Sequence, residues 1–225
     1  MPDPLDPDFA YCLWAPSYPA RAHNELMEVE QAAMLALLPD VSGQVVLDAG
    51  CGTGRYLELL KSRRARAIGI DRSESMLSRV TRPATLIRGD LYAVPLDVSS
   101  VDAVVCALAL GDVADLALAI AEFARVLRPG GLLLYSVVHP DGGPAGWTRT
   151  FDTPNGQRHV ASYWHSRAAH ERSLLSAGFA IDARHEPEIK GQAVALVIKA
   201  TRSVEAETRK VESRKVESRK VGANL

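Results

Sequence analysis

A short apolar run that ends in three closely spaced glycines constrains this 225-residue chain more than any other feature. Val46 and Leu47 lead into Asp48-Ala49-Gly50-Cys51-Gly52-Thr53-Gly54, and a helical pattern follows as far as Ser62. Because glycine has no Cβ, the backbone of such a turn can come very close to a ligand. The segment therefore predicts a strand, a tight ligand-binding loop and a helix.

The same alternation of strands and helices continues along the chain and predicts an α/β fold. The expected helices span 24–38, 53–62, 73–80, 114–127 and 163–176, and the expected strands span 44–49, 66–70, 84–88, 101–107, 132–138, 179–185 and 193–200. This order is typical of a parallel sheet with helices on both faces. The last two strands are expected to be antiparallel, and residues 139–162 form a loop that is long enough to shape a site.

The charge distribution separates the chain into a domain, 1–200, and a tail, 201–225. The tail repeats Arg-Lys-Val-Glu-Ser with a period of five, which fits neither a helix face nor a coiled coil, and we expect it to be a mobile, charged, low-complexity segment. The first 200 residues carry 19 basic and 23 acidic side chains. A net charge of −4 disfavours a nucleic-acid partner.

Other compositional features exclude further classes. The cysteines Cys12, Cys51 and Cys106 lack the spacing of a thiolate metal site. The N-terminal residues do not follow the signal-peptide pattern, and no apolar run is long enough to span a bilayer. We therefore expect a cytoplasmic protein with no membrane partner. The oligomeric state is not predicted.

The glycine-rich turn could also be interpreted as one of two other kinds of nucleotide-binding loop. A nicotinamide-binding loop, G-x-G-x-x-G, would place glycine where this chain has Arg55, and a phosphate-binding loop would need Lys-Ser or Lys-Thr after the glycines. A nicotinamide-dependent oxidoreductase on a related fold and a non-catalytic cofactor-binding scaffold are the alternative functions. Arg55 argues against the first, and fold alone does not exclude the second.

Acidic residues at the ends of the next two strands favour a ligand that contains a nucleoside. Asp71 lies about twenty residues beyond the glycines, where a carboxylate can accept both ribose hydroxyls, although it could equally cap the following helix. Asp90 could accept from an adenine amino group while Leu91 packs on the ring, or it could simply form a turn. The last carbonyls of the strand ending at Ala107 can accept from an ammonium group.

Together these residues resemble the class I S-adenosylmethionine-dependent methyltransferase family, in particular its small-molecule, type 11-like branch, over roughly residues 11–200. Leu47 to Gly54 resembles the family's first motif, and Arg125 to Gly131 resembles its turn before the fifth strand. The resemblance implies a Rossmann-like three-layer sandwich whose seven-stranded, mostly parallel sheet has the order 3-2-1-4-5-7-6, with strand 7 antiparallel. It also implies a lid helix at about 24–38.

The implied activity is transfer of a methyl group from S-adenosyl-L-methionine to a small-molecule acceptor by in-line displacement. The resemblance places the methionine part of the cofactor near Asp48, Gly50 and Ala107, in the loop that also contains Gly52 and Gly54. It places the ribose on Asp71 and the adenine by Arg72, Asp90 and Leu91. The aromatic residues Tyr11, Trp14 and Tyr18 are implied to close over the cofactor, and Tyr18 is the preferred one. The chain departs from the family at residues 108–113, where relatives often carry histidine.

On the acceptor side, histidines are the candidate proton acceptors because they exchange protons near neutral pH. His139 directly follows the fifth predicted strand and is the candidate general base, although it could instead orient the turn at Pro140. His165 and His170 are expected on an exposed helix face rather than in the pocket. The aromatic residues Trp147, Phe151 and Trp164 could wall an acceptor pocket or pack the long loop.

No metal site is predicted. Asp112 and Asp115 could hold Mg²⁺ in principle, but nothing in the sequence completes an octahedral set of oxygen ligands. Helix capping accounts for these two aspartates more simply.

Overall fold

The computed structural model describes residues 3–81 and 84–204. Its helices are α1 (Pro7–Trp14), α2 (Glu25–Leu37), α3 (Arg55–Ser62), α4 (Glu74–Leu77), α5 (Leu116–Val126) and α6 (Arg167–Ser176). Its strands are β1 (Val45–Ala49), β2 (Arg66–Asp71), β3 (Thr85–Arg88), β4 (Val101–Ala107), β5 (Leu127–Val138), β6 (Arg149–Thr153), β7 (Gly156–Val160), β8 (Phe179–His185), β9 (Glu188–Ile189), β10 (Gln192–Ala193) and β11 (Ala195–Arg202). Short 3-10 helices lie at Ala15–Ser17, Leu110–Asp112 and Pro140–Gly142.

Seven of the strands form the main sheet, in the order β3-β2-β1-β4-β5-β11-β8. Strands β1 to β5 pair in parallel, whereas β11 is antiparallel to both of its neighbours. Counted along the chain, β8 and β11 are the sixth and seventh strands of this sheet. The predicted order 3-2-1-4-5-7-6, with an antiparallel seventh strand, is confirmed.

The central strands are buried on both faces because helices cover the sheet from both sides. Successive residues of a strand point to opposite faces. Val46 of β1 and Val105 of β4 belong to the core cluster that contains residues of α2 and α3, while Leu47 and Val104 belong to the cluster that contains residues of α5 and α6. The three-layer sandwich follows directly from these two apolar faces.

Polar side chains fix where the helices begin. Asn24 accepts a hydrogen bond from the amide of Met27 at 2.9 Å and caps α2, and Asp115 accepts from the amide of Leu118 at 3.0 Å and caps α5. The capping prediction for Asp115 is thus confirmed. Within the described part of the chain, no group of three histidine, cysteine, aspartate or glutamate side chains is arranged to hold a metal ion.

Two elements at the carboxyl edge of the sheet were not predicted. Helix α1 precedes all the expected elements, and the expected loop at 139–162 contains the antiparallel hairpin β6–β7. Leu5 forms a β-bridge with Val160, and the side chains of Ala10, Phe151 and Val160 form a small core of their own. We call α1 and this hairpin the cap.

The described fold continues slightly beyond the predicted domain boundary, because β11 runs to Arg202 rather than stopping at residue 200. Residues 205–225, which make up most of the predicted tail, lie outside the described residues. Among the helices of the described ranges, none combines the length and the apolar character needed to cross a bilayer.

Candidate functional site

A cavity of about 890 Å³ opens where β1, β2 and β4 reach their carboxyl ends, beneath the cap. Nine of the ten residues predicted to bind a cofactor line it: Tyr18, Asp48, Gly50, Gly52, Asp71, Arg72, Asp90, Leu91 and Ala107. The carboxyl edge of a parallel sheet is the usual position of a ligand in an open α/β fold. The glycine-rich loop and the acidic residues thus meet in one cleft.

Gly54 is the predicted residue that does not line this cavity. It lies at the N-terminus of α3 with a left-handed backbone, φ +92°, and a Cβ at this position would lie 3.4 Å from the methyl groups of Val80. The motif needs glycine at this position because the chain turns from the loop into the helix with a left-handed backbone, which glycine adopts without steric cost.

The other two glycines of the loop differ in what surrounds them. The amides of Gly50 and Cys51 both donate to the carbonyl of Ile70, at 2.8 and 3.0 Å, which fixes the loop against β2. A Cβ on Gly50 would approach the Cβ of Ala109 to 2.4 Å, whereas a Cβ on Gly52 would enter open space. Gly50 therefore permits close packing of protein on protein, and Gly52 leaves room beside the cavity.

This contrast predicts different stability losses for the two alanine substitutions. We expect Gly50→Ala to lower the free energy of unfolding by about 2–4 kcal/mol, because it combines a left-handed backbone with a clash against a rigid methyl group. Gly52→Ala should cost only about 1–2 kcal/mol, from its left-handed backbone alone. Urea denaturation of both variants measures the difference, and equal losses would contradict the packing argument.

Asp71 holds the glycine-rich loop as well as facing the cavity. Its Oδ2 accepts from the amide of Gly52 and its Oδ1 accepts from the amide of Ser73, both at 2.8 Å. Burial raises the pKa of Asp71, and these two backbone hydrogen bonds oppose that rise. Ser73 rather than Asp71 caps α4, so the capping alternative for Asp71 is wrong. Each carboxylate oxygen keeps a second lone pair for a ligand.

Asp48 is a buried carboxylate that lacks a full set of partners. Its side chain is 2% exposed, and its Oδ2 has no hydrogen-bond partner among the described residues. Burial raises its pKa to about 7, an effect that Arg55 opposes and the nearby charge of Asp71 reinforces. An unpaired buried acceptor is costly, so this oxygen marks a place where a ligand donor is expected.

The adenine side of the cavity carries residues that also have structural partners. Asp90 accepts from the amide of Tyr92 at 2.9 Å, so the turn interpretation of Asp90 is correct, and the residue still lines the cavity. Arg72 forms an ion pair with Asp8 of α1 at 2.5 Å. This pair is half exposed, so it contributes little stability, but it ties the cap to the end of β2.

Aromatic side chains of the cap cover the other side of the cavity. Trp14 packs between Tyr18 and Phe151, with ring centroids 4.8 and 4.9 Å away. Tyr11 and Tyr18 also line the cavity, as does Phe151. The N-terminal aromatic pattern therefore lies at the cleft, where it can close over a ligand.

A partly buried ion pair anchors the cap to the sheet. Arg149 of β6 pairs with Asp112, and its Nη1 also donates to the hydroxyl of Tyr11 at 3.0 Å. The Tyr11 hydroxyl in turn donates to Asp112 Oδ2 at 2.9 Å. Asp112 therefore does not cap an α-helix, because the cap of α5 is Asp115.

Helix α2, the predicted lid helix, lies partly at the cavity and partly in the core. Its first turn lines the cavity, but Ala33 and Met34 lie in the core against the sheet. The elements that cover the cavity on this side are α1 and the β6–β7 hairpin. A lid helix at about 24–38 stays a prediction.

Sequence reasoning also missed a buried acidic network behind the cavity. Glu30 of α2 is fully buried and accepts from Arg55 Nη1 at 2.9 Å, from the Tyr56 hydroxyl at 3.1 Å and from the Ser136 hydroxyl at 2.6 Å. Ser136 also accepts from the amide of Leu108 at 3.1 Å. No local sequence signal predicts this network, because its members are far apart in the chain.

A second cavity of about 320 Å³ adjoins the first and shares part of its wall, including Leu108 and Arg149. Trp147 and Trp164 line it, which agrees with their predicted role as walls of a pocket, whereas Phe151 lines only the larger cavity. The second cavity lies at the ends of β4 and β5, beside the predicted position of the methionine part.

The predicted general base, His139, does not reach either cavity. Its side chain is 2% exposed and is enclosed by Arg167, whose Nη2 lies 2.9 Å from Nε2, and by the amide of Asp141, 3.3 Å from Nδ1. His165 and His170 line the second cavity instead. The prediction that these two lie on an exposed helix face is wrong: His170 is 1% exposed, and His165 precedes α6.

Comparison with known proteins finds similarity to methyltransferases. The family model described as "Methyltransferase domain" matches residues 47–135. A malonyl-[acyl-carrier protein] O-methyltransferase from Dechloromonas aromatica is 34% identical over 157 residues, which cover 68% of this chain and 58% of that protein. The Yersinia pestis protein of the same name is 35% identical over 125 residues, covering 54% of this chain and 46% of that protein. The chain spans about half the length of these curated relatives.

Solved structures show the same fold. A putative S-adenosylmethionine-dependent methyltransferase from Listeria monocytogenes is 23% identical and superposes with a TM-score of 0.67, over 78% of this chain and 99% of that chain. A magnesium protoporphyrin IX methyltransferase from Synechocystis with bound SAH is 19% identical, with a TM-score of 0.62, over 87% of this chain and 94% of that chain. At these identities the likeness concerns the fold alone.

Proposed function

We propose that this chain, which belongs to the class I S-adenosylmethionine-dependent methyltransferase family, transfers a methyl group from S-adenosyl-L-methionine to a small-molecule acceptor. The sulfonium of that cofactor makes its methyl group a good electrophile. The protein then has to orient the acceptor in line with the methyl–sulfur bond and exclude water. The family relationship and the chemistry of the larger cavity both support this function.

The observation that carries the proposal is the unpaired, buried Oδ2 of Asp48, a residue that lines the larger cavity. S-adenosylmethionine has an ammonium group that would supply the missing donor, and carbonyl groups near Ala107 can accept from the same ammonium. The open space beside Gly52 leaves room for the methionine part. The residues of this cavity therefore fit the cofactor.

We assign the remaining cofactor contacts from the same cavity. Asp71 would accept hydrogen bonds from the ribose hydroxyls with the lone pairs that its backbone partners leave free. Asp90, Leu91 and Arg72 would hold the adenine, and Tyr18 would close over the cofactor. These roles stay proposals until a bound cofactor is seen.

The second cavity is the proposed acceptor site, because it adjoins the larger cavity at the carboxyl edge of the sheet. The relatives are named as O-methyltransferases, which supports oxygen as the methylated atom. The charge of −4 over residues 1–200 disfavours a nucleic-acid acceptor. A cytoplasmic location and the lack of a membrane partner also stay predictions from the sequence.

Titration calorimetry tests the proposal against the oxidoreductase alternative. We expect S-adenosylmethionine and S-adenosylhomocysteine to bind with one site per chain, and NADH to show no saturable binding, because Arg55 occupies the position of the third dinucleotide glycine. Tighter binding of NADH would overturn the assignment. Cofactor binding without methyl transfer to any member of a broad metabolite panel would favour a non-catalytic scaffold.

A further inference from the structure

The hydrogen bond of His165 fixes which of its ring nitrogens carries a proton. Nε2 lies 2.8 Å from the carbonyl oxygen of Val113, and a carbonyl oxygen can only accept. Nε2 is therefore the N–H of the neutral ring, and Nδ1 carries the lone pair. His165 lines the second cavity, and in the described residues no group donates to its Nδ1.

The hydrogen-bond partner of His170 fixes which nitrogen of the His170 ring carries the proton. Its Nδ1 lies 3.1 Å from the hydroxyl of Tyr135, which is fully buried. The Tyr135 hydrogen has its acceptor only if Nδ1 has the lone pair, and this leaves the N–H on Nε2. Burial lowers the pKa of His170 to about 4, and His165 adds to the effect, so the ring is neutral at pH 7.

The two histidines that line the second cavity therefore keep one acceptor, Nδ1 of His165, and one donor, Nε2 of His170, without a hydrogen-bond partner among the described residues. The two rings are perpendicular, at an interplanar angle of 88° and a centroid distance of 6.1 Å. Both residues line the second cavity, so a ligand there would lie beside the two rings. Much of the surrounding wall is apolar, and includes Trp147, Trp164, Leu110, Val137 and Val194.

We infer that this cavity binds its acceptor through a hydroxyl group, which donates to Nδ1 of His165 and accepts from Nε2 of His170. A hydroxyl is the group that can do both with a single oxygen atom. The inference rests on the proposed function and specifies its substrate class: an uncharged, largely apolar or aromatic molecule with a free hydroxyl. His165 is then the residue that takes the hydroxyl proton.

The proposed reaction transfers the methyl group from S-adenosylmethionine to the acceptor hydroxyl and the hydroxyl proton to His165. The acceptor oxygen loses its proton to Nδ1 of His165 and forms a bond to the methyl carbon. The carbon–sulfur bond breaks, and its electron pair stays on the sulfur, which becomes a neutral thioether. His165 becomes an imidazolium ion and returns the proton to solvent after the product leaves.

Charged acceptors fit this pair of histidines less well. A carboxylate has no hydrogen to donate and would face the lone pair of His165, while an ammonium group would face the N–H of His170. Arg149 also lines the cavity, and its buried Nε has no partner among the described residues, but Asp112 already balances its charge. A buried charge without a partner is strongly disfavoured, so a neutral hydroxyl is the better match.

Nitrogen NMR on histidine-labelled protein tests the proton positions without any ligand. We expect His170 to be neutral at pH 7, and we expect the neutral ring of each histidine to carry its hydrogen on Nε2. Tyr135→Phe, which removes the partner of His170 Nδ1, should change the signals of His170 and leave those of His165 nearly unchanged. A hydrogen on Nδ1 of His165, or a charged His170, would overturn the inference whether or not the protein binds S-adenosylmethionine.

Ligand binding in the presence of S-adenosylhomocysteine tests the hydroxyl requirement. The probes are 2-naphthol, 2-methoxynaphthalene, which lacks the hydrogen, and 2-naphthoate, which carries a carboxylate. We expect the wild-type protein to bind 2-naphthol about tenfold more tightly than 2-methoxynaphthalene, the effect of one hydrogen bond, and to bind 2-naphthoate more weakly than either. No binding of 2-naphthol, or tighter binding of 2-naphthoate, would overturn the inference.

Two matched variants separate hydrogen bonding from proton removal. H165Q keeps a donor for the Val113 carbonyl but loses the acceptor at the Nδ1 position, so the preference for 2-naphthol should fall below about threefold. H165N keeps an acceptor near that position and should bind 2-naphthol nearly as well as wild type, yet transfer no methyl group to it. An unchanged preference in H165Q would refute the role of His165, whereas failure of S-adenosylhomocysteine to bind would contradict the proposed function instead.

Discussion

Asp48→Asn is expected to stabilise the protein at pH 8 and to weaken its binding of S-adenosylmethionine by about 10- to 100-fold. The affinity falls because an amide cannot match the attraction of a carboxylate for the ammonium group. The stability rises because the substitution removes a buried charge that has an unpaired oxygen. Opposite effects on stability and on affinity are typical of a side chain retained for a ligand.

The pH dependence of this stability difference follows from the pKa of Asp48, about 7 in the folded protein against an ordinary value of 3.8. Between these values the folded state binds more protons than the unfolded state, so the wild-type protein loses stability as the pH rises from about 4 to 7. Each pKa unit is worth about 1.4 kcal/mol, which sets an upper limit of about 4 kcal/mol on the gain from Asp48→Asn at pH 8.

Urea denaturation at pH 5 and pH 8, with calorimetry at pH 6 and pH 8, measures both effects. The stability gain of the variant should be larger at pH 8 than at pH 5. The wild-type affinity for S-adenosylmethionine should fall below pH 7 as Asp48 takes up a proton, whereas the variant's affinity should change little. A variant less stable than the wild-type protein at pH 8 would mean that Asp48 already has adequate partners in the free protein.

The parts of the fold that the sequence predicted well are those set by local patterns. β4 was predicted at 101–107 and is found at Val101–Ala107, and β8 was predicted at 179–185 and is found at Phe179–His185. Their apolar runs and flanking turn residues are sufficient signals. The glycine-rich loop was equally legible, because few sequences bring three glycines to the end of a buried strand.

The β6–β7 hairpin was missed although it carries a recognisable turn. Asn155-Gly156 connects the two strands, and an Asn-Gly pair is among the strongest hairpin signals. The strands themselves are mostly polar, and Phe151 and Val160 are their buried apolar residues. Without regular alternation, the apolar pattern that predicts a strand is absent, and the hairpin is stabilised by its contact with α1 instead.

The position of His139 shows where local reasoning ends. The sequence correctly puts His139 directly after β5, at the edge of the sheet that carries the site. The direction of its side chain depends on Arg167 of α6 and on Glu186 after β8, which enclose the ring from elements more than twenty residues away. Such tertiary partners cannot be read from the position of a residue at a strand end.

Asp71 combines a structural role with a proposed binding role, which complicates any substitution there. Removing its carboxylate leaves the amides of Gly52 and Ser73 without their acceptors, so the glycine-rich loop loses part of its support. A buried amide without a partner costs about 1–3 kcal/mol.

Asp71→Ala is expected to lower the affinity for S-adenosylmethionine by about 100-fold or more, because two hydrogen bonds from ribose hydroxyls to a charged group are lost. It should also lower the free energy of unfolding by about 1–3 kcal/mol. Ser73→Ala is the matched control, because Ser73 does not line the larger cavity. The substitution removes the cap of α4 and should lower the free energy of unfolding by about 1 kcal/mol. Calorimetry on both variants separates the two effects, because a loss of affinity in Ser73→Ala as large as that in Asp71→Ala would assign the whole effect to the loop and remove Asp71 from the ribose site.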